Sequence, residues 1–86
     1  MTTNGFYGHT ISATFEQLEQ FFGPSNAKSN DGKVNYIWHL EMDTVPFCLY
    51  DWKTKVKPNE KIDWHIGAVN EEESKKVYEN LKNFFK

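Results

Sequence analysis

Asp51 and His65 are the residues whose chemical types suit acid–base catalysis. A carboxylate that orients an imidazole is half of a general-base arrangement, and each of these two residues stands next to a tryptophan in the sequence. No nucleophile is tied to the pair by its position. The three candidate nucleophiles lie at unrelated points of the chain: Ser12, Cys48 and Ser74. We therefore interpret Asp51 and His65 as a structural contact. The alternative interpretation is a small hydrolase that uses His65 and Asp51.

Aromatic residues and lysines surround the same two positions. Aromatic rings flanked by lysines can stack a nucleobase above nearby phosphates, and exposed tryptophan and tyrosine side chains are equally typical of protein–protein hot spots. We therefore predict a ligand-binding or partner-binding surface of seven residues: Tyr50, Trp52, Lys53, Lys55, Lys57, Trp64 and His65. The competing interpretation places the tryptophans in the core and makes the lysines a solvated loop that protects a sheet edge.

Metal and cofactor chemistry finds little support in the residue spacing. His9, His39 and His65 show no HxH or HxxxH spacing, so three separate strands would have to converge to form a metal site. The glycines form no phosphate-cradling loop. Cys48 is the single cysteine, which excludes an internal disulfide and a cysteine-rich zinc site and fits a reducing compartment. We predict no metal and no cofactor.

Length and charge narrow the class of protein further. The 86 residues predict a single domain over 1–86, and the net charge of −2 argues against a phosphate-backbone binder. All ten basic residues are lysine, which makes duplex DNA an unlikely partner because arginine makes the commonest base-specific contacts. The N-terminus lacks the pattern of a signal peptide, and no apolar run approaches the ~20 residues that span a bilayer. The expected location is the cytosol, without a membrane partner.

The hydrophobic pattern predicts an α+β fold in the order β-α-β-β-β-α, with an antiparallel sheet packed by two helices. The first helix is expected to begin after Thr14, which forms a capping box with Gln17, and to end at Gly23. The final helix is expected to begin after Asn70. The predicted strands cover 5–13, 34–42, 45–53 and 61–69, with a tight turn at Asp43-Thr44 between the second and third.

The third and fourth strands can be placed in a register that pairs Trp52 with Trp64. The same register sets three further pairs: Tyr50 with Ile66, Asp51 with His65, and Lys53 with Asp63. It conflicts with the preceding hairpin, whose turn aligns Trp38 and Leu40 with Leu49 and Phe47 on the other face. Either a bulge near 49–51 restores one core face, or both faces carry aromatic residues and one face is an exposed apolar patch.

Several stretches of the chain resemble a family of small bacteriophage proteins of uncharacterised function. The resemblance runs from Ile11 to Leu81 and is carried by "ISATFEQLEQFFGPS", the strand with Trp38, "YDWK" and "DWHIG". It implies expression in the cytoplasm of an infected bacterium. By analogy with other small phage proteins, it further implies a role in countering host defence, either by docking on a host defence protein or by sequestering a small nucleotide signal.

The leading prediction from the sequence is therefore a non-enzymatic binding protein that forms a homo-oligomer. Its expected partner is a host defence protein or a small nucleotide ligand. The alternatives are the small hydrolase described above and a protein that binds single-stranded nucleic acid through its aromatic and lysine surface.

Overall fold

The computed structural model describes residues 5–25, 34–53 and 55–85, and within them it has the predicted β-α-β-β-β-α order. The elements are β1 (Gly5–Ala13), α1 (Phe15–Phe22), β2 (Ile37–Met42), β3 (Val45–Tyr50), β4 (Ile62–Ala68) and α2 (Glu71–Leu81). The four strands form one antiparallel sheet in the order β1-β4-β3-β2. The predicted α+β class with two helices packed on a sheet is confirmed.

Local capping interactions start both helices where the sequence indicates. The Gln17 backbone N–H donates to Thr14 Oγ1 over 3.1 Å, and the Thr14 N–H donates to Gln17 Oε1 over 2.9 Å, which completes the predicted capping box. At α2, the Glu73 N–H donates to Asn70 Oδ1 over 2.9 Å. Helix α1 ends at Gly23, whose φ of 79° is accessible to glycine at little cost.

The turn between β2 and β3 is the predicted two-residue turn. Asp43 and Thr44 have φ values of 49° and 68°, as a type I′ turn requires, and Met42 lies directly opposite Val45. This register aligns Trp38 with Leu49, as the sequence predicts for this hairpin.

The predicted register between β3 and β4 is wrong by one residue. Tyr50, rather than Asp51, lies opposite His65, and Leu49 lies opposite Ile66. All four predicted cross-strand pairs are therefore absent: Trp52 with Trp64, Tyr50 with Ile66, Asp51 with His65, and Lys53 with Asp63. Strand β3 ends at Tyr50, before Trp52 is reached.

Apolar burial explains this register. The observed pairing puts Phe47, Leu49 and Ile66 on the same face as Trp38, so that one face collects the large apolar side chains. Full burial of such a side chain is worth about 1.5–3 kcal/mol, whereas a cross-strand charge pair contributes roughly 0.2–1 kcal/mol. The one-residue shift removes the conflict between the two hairpins, and the β3–β4 pairing contains no bulge.

Both helices pack on this face of the sheet, which we call the inner face. Its two tryptophans meet edge to face, with ring centroids 5.4 Å apart, and each indole N–H donates to a backbone carbonyl: Trp64 to Ala13 over 2.9 Å and Trp38 to Gly23 over 2.8 Å. The buried core consists of Ile11, Ala13, Leu18, Trp38, Phe47, Leu49, Trp64, Ile66, Val77, Leu81 and Phe85.

A bulge in β1 shifts the pairing of its N-terminal part by two residues along β4, and Phe6 stays on the opposite, outer face. The β1–β4 register shifts between Phe6 and Thr10, where Gly8 has a φ of 88°. On the N-terminal side of the bulge, Phe6 lies opposite Gly67. Because Gly67 has no side chain, the Phe6 ring has room to lean over β4 toward His65.

Candidate functional site: an aromatic patch on the outer sheet face

Four aromatic side chains gather on the outer face, and we call them the aromatic patch: Phe6, Tyr50, Trp52 and His65. Tyr50 and His65 are cross-strand partners in β3 and β4, so their side chains point to the same face. Phe6 comes from β1, on the N-terminal side of the bulge, and Trp52 follows two residues after the end of β3. The patch therefore draws on three neighbouring strands.

The rings are arranged in a row. Phe6 and His65 are stacked with centroids 4.2 Å apart and planes 18° apart, and His65 and Trp52 are stacked at 6.2 Å and 26°. Tyr50 packs beside this row, 5.3 Å from His65 and edge to face with Trp52 at 6.4 Å. The two ends of the row are the most open, since Phe6 is 44% exposed and Trp52 is 39% exposed.

Lys53 places a cation at the Trp52 end of the row. Its Nζ lies 5.8 Å from the centroid of the Trp52 ring, within the range of a cation–π interaction. The Lys53 backbone has a φ of 50°, in the left-handed region that few residues other than glycine adopt. Such conformations cost free energy and persist where the surrounding structure holds them. Here the conformation folds the lysine back over the indole.

Burial in the patch favours the neutral forms of its two titratable rings. Burial lowers the pKa of His65 from its ordinary value of 6.5, and the charges of Asp63 and Asp51 act in the opposite direction more weakly. Burial also raises the pKa of Tyr50 above 10.0, with a further contribution from Cys48. At neutral pH the middle of the patch is therefore uncharged.

Asp51 does not orient His65. Its carboxylate is 0% exposed and points to the other side, where it accepts hydrogen bonds from the backbone N–H of Asn35 at 2.9 and 3.1 Å and of Tyr36 at 2.8 Å. The Asn35 side-chain amide donates a further bond of 2.8 Å. The carboxylate thus fixes the position of Asn35 and Tyr36, the two residues that precede β2. The general-base arrangement considered from the sequence is not assembled in this fold.

The remaining predicted site residues divide into two groups. Trp64 is 0% exposed and lies in the core, so it is not part of this face, and its proposed partnership with Trp52 followed from the wrong register. Lys55 and Lys57 are exposed on the segment after the patch, and Lys57 lies 3.8 Å from Glu60 in a surface ion pair. Phe6 is not among the predicted site residues, because it comes close to His65 only through the bulge, which places it opposite Gly67 instead of two residues farther along β4.

Neither a metal site nor a membrane span is found in the described ranges. No three His, Cys, Asp or Glu side chains among residues 5–25, 34–53 and 55–85 come together as metal ligands. Within the same residues, neither helix is long and apolar enough to cross a membrane. The geometry of the aromatic patch is that of a surface for stacking and for apolar contact.

Comparison with known proteins identifies no relative of this chain. No family model matches the chain, and no curated protein and no solved structure matches it either.

Proposed function

We propose that this protein is a non-catalytic binding protein that holds a nucleobase with an adjacent phosphate on its aromatic patch. The single observation that carries the proposal is the exposed Trp52 ring, in line with His65 and Phe6 on the face opposite both helices, with the Lys53 ammonium above it. Every base has a π face, and aromatic rings on an open sheet are a common stacking platform for unpaired bases.

The arrangement of charge supports this ligand class. His65 and Tyr50 are uncharged in the middle of the patch, so they offer apolar ring surface, while Lys53 offers positive charge at one end. Lys55 follows on the chain and is exposed. A base stacked at the Trp52 end of the row would have its phosphate close to the Lys53 ammonium. The net charge of −2 fits a short ligand better than a long duplex backbone.

Fluorescence offers a direct test, because the three tryptophans differ in exposure. Trp38 and Trp64 are fully buried, so a ligand on the outer face should quench or shift chiefly the emission of Trp52. Titration with thymidine monophosphate and with oligothymidylate separates the two sources of this chemistry. Equal affinity per base would indicate a free nucleotide, and much tighter binding of the oligomer would indicate a single strand. Binding should weaken as salt rises.

Two variants locate the site. Trp52→Ala should reduce affinity by about 1–3 kcal/mol, the usual loss when one stacking ring is removed. Phe84→Ala is the matched control, because Phe84 is 58% exposed and contacts Phe21 at the helix ends rather than the patch. Equal losses in both variants, or no binding of either probe at low salt, would refute a nucleobase site on the patch. Capture of a protein by the patch in place of the probes would instead indicate a protein partner.

The bacteriophage resemblance extends the proposal to a biological role. On that view the ligand is a nucleotide signal of host defence, sequestered in the cytoplasm of an infected bacterium. Expression of the wild-type protein should then rescue phage growth on a host that uses such a signal, and the Trp52→Ala variant should not. Rescue by both proteins would show that the anti-defence role does not depend on the aromatic patch.

A further inference from the structure

Strand β1 forms one edge of the sheet, and in the described part of the chain no further strand pairs with it. Its regular pairing with β4 covers residues 10–13, because the bulge at Gly8 interrupts the pairing before Thr10. The sequence of β1, GFYGHTISA, contains neither the lysine nor the proline that commonly discourages pairing at an edge. The regular segment can therefore accept a short extended chain.

The register of the sheet determines which backbone groups of β1 face this edge. In the type I′ hairpin of β2 and β3, the residues that flank the turn exchange hydrogen bonds, and bonded and non-bonded pairs alternate from there along each strand. Followed across β3 and β4, this alternation bonds Ile11 and Ala13 to β4 and leaves Thr10 and Ser12 facing outward. Ser12 is exposed and Thr10 is partly exposed. Their N–H and C=O groups are thus available to a further strand.

A groove follows this edge, between β1 and helix α2. It is a cleft of about 250 Å³ with side chains of β1, of β4 and of the C-terminal half of α2 around it: Thr10, Ser12, Asp63, Tyr78, Lys82 and Phe85. The Tyr78 ring is half-buried and stacks on His9 of β1, with centroids 5.2 Å apart. This contact holds the helix side of the groove in place before any ligand arrives.

Opposite charges lie on the two sides of the groove. The Lys82 ammonium lies on the helix side, 5.3 Å from the centroid of the Tyr78 ring, and Asp63 lies on the outer face as the cross-strand partner of Ser12. Both charged side chains are exposed, and neither forms an ion pair with another described residue. Because Ser12 is small, a long side chain at the edge can pass over it to Asp63.

We propose that this groove binds an extended peptide of a partner protein as a fifth strand, antiparallel to β1, in which a basic residue is followed by an acidic one. The basic residue lies opposite Ser12 and reaches Asp63, and the acidic residue lies opposite Ile11 and meets Lys82. Successive side chains of a strand point to opposite faces, so two adjacent residues of opposite charge complement both groups. Backbone hydrogen bonds supply affinity in such strand addition, and the side chains supply specificity.

A pentapeptide with blocked ends and the sequence Val-Lys-Glu-Thr-Val tests the charge contacts. Its titration should shift the backbone amide signals of Thr10 and Ser12 in a proton–nitrogen correlation spectrum until they saturate. Lys82→Glu should weaken binding by about tenfold, because it sets two carboxylates against each other. Replacement of the peptide glutamate by lysine should recover most of the affinity of this variant and weaken binding to the wild-type protein.

N-methylated peptides test whether the peptide is bound as a strand. The N–H groups of the peptide lysine and threonine bond to β1 in the proposed register, whereas the N–H of the glutamate faces away from it. Methylation at the lysine should therefore abolish binding, and methylation at the glutamate should be tolerated. Ser12→Pro removes an edge-facing N–H that β4 does not use, and it should abolish binding as well. If Ser12→Pro does not fold, the two methylated peptides decide the point.

Lys76→Glu is the matched control for the helix. Lys76 lies on the other flank of α2, where it lines a separate cleft with Met42 and Val45, so this variant should bind the peptide like the wild-type protein. Equal losses in Lys76→Glu and Lys82→Glu, or no binding to the wild-type protein at millimolar peptide, overturn the proposal.

Two further measurements separate the groove from other binding modes. Trp52→Ala should leave peptide binding unchanged, because the groove uses no residue of the aromatic patch; a loss would place the peptide on the patch and overturn the proposal. Sedimentation over a range of concentrations examines a second copy as the occupant. Dimerisation that Ser12→Pro abolishes, without any binding of the peptide, would assign the edge to a second copy and also overturn the proposal.

Discussion

The two Asp-Trp pairs of this chain have opposite orientations in the folded sheet. In Asp51-Trp52 the aspartate is fully buried and the tryptophan is 39% exposed. In Asp63-Trp64 the tryptophan is fully buried, and the aspartate is exposed on the outer face. Identical dipeptides thus contribute one tryptophan to the core and one to the surface. Position relative to the pleat, and not residue type, decides which ring is available to a ligand.

The two faces of the sheet also differ in their physical role. The inner face is stabilised by close packing around Trp38 and Trp64, and both indole N–H groups are bonded to carbonyls. The outer face keeps Phe6 and Trp52 partly open at the two ends of a row of rings. Equivalent substitutions on the two faces should therefore have very unequal effects on stability.

The largest effect is expected at the buried tryptophan. Trp64→Ala should lower the free energy of unfolding by about 3–5 kcal/mol, because it opens a cavity in the core and leaves the Ala13 carbonyl without its donor. Trp52→Ala should cost about 1 kcal/mol or less, the scale of an exposed aromatic pair. Urea denaturation of both variants measures the two values. Equal losses would show that the two faces are not distinct.

The aspartates should show the reverse order. Asp51→Ala should cost roughly 2–4 kcal/mol, because the N–H groups of Asn35 and Tyr36 lose their acceptor at a buried site. Asp63→Ala, the matched control, should stay within about 0.5 kcal/mol of wild type. Urea denaturation curves measure the free energy of unfolding of both variants. A small decrease for Asp51→Ala would contradict the role of Asp51 in fixing the start of β2.

The pH dependence of the folding stability should reveal the contribution of His65. Its pKa is lowered in the folded protein, so the unfolded chain binds the proton more readily once the pH falls below the ordinary value of 6.5. Folded stability should therefore decrease as the pH falls from 7.5 through this range. His65→Gln should remove this part of the decrease while leaving the contribution of the carboxylates. Matching pH profiles of melting temperature for both proteins would contradict burial of the imidazole.

The smallest effect on stability is expected at Lys53. Lys53→Gly relieves the left-handed backbone conformation but gives up the cation–π contact and adds freedom to the unfolded chain, each worth about 0.5–1 kcal/mol. These terms largely offset one another, so the melting temperature should change little. Affinity for oligothymidylate should nevertheless fall, since the cation is gone. A large change in stability with unchanged affinity would assign Lys53 a purely structural role.

The sequence predicts the local features of this fold well, because their causes are local. The capping box at Thr14, the turn at Asp43-Thr44 and the order of elements each follow from neighbouring residues. The β3–β4 register is not local. The two Asp-Trp dipeptides favour pairing of Trp52 with Trp64, but the burial of Phe47 and Leu49 against β4 outweighs it.

The candidate site could be predicted only in part for the same reason. Tyr50, Trp52, Lys53 and His65 are close in space as well as in the predicted hairpin. Phe6 belongs to the patch only because β1 pairs with β4 and contains a bulge, and neither feature follows from the alternation of residues. Gly8 was the available signal, since an isolated glycine within a strand pattern often marks a bulge.

The most direct test of the account follows the three indole N–H signals in a proton–nitrogen correlation spectrum during titration with oligothymidylate. Trp38 and Trp64 donate to Gly23 and Ala13 inside the core, and they should exchange slowly and stay in place. The signals of Trp52 and the ring of His65 should move together and saturate. Movement of the core indoles with Trp52 unchanged, or no movement of any of them, would contradict a binding role for the outer face.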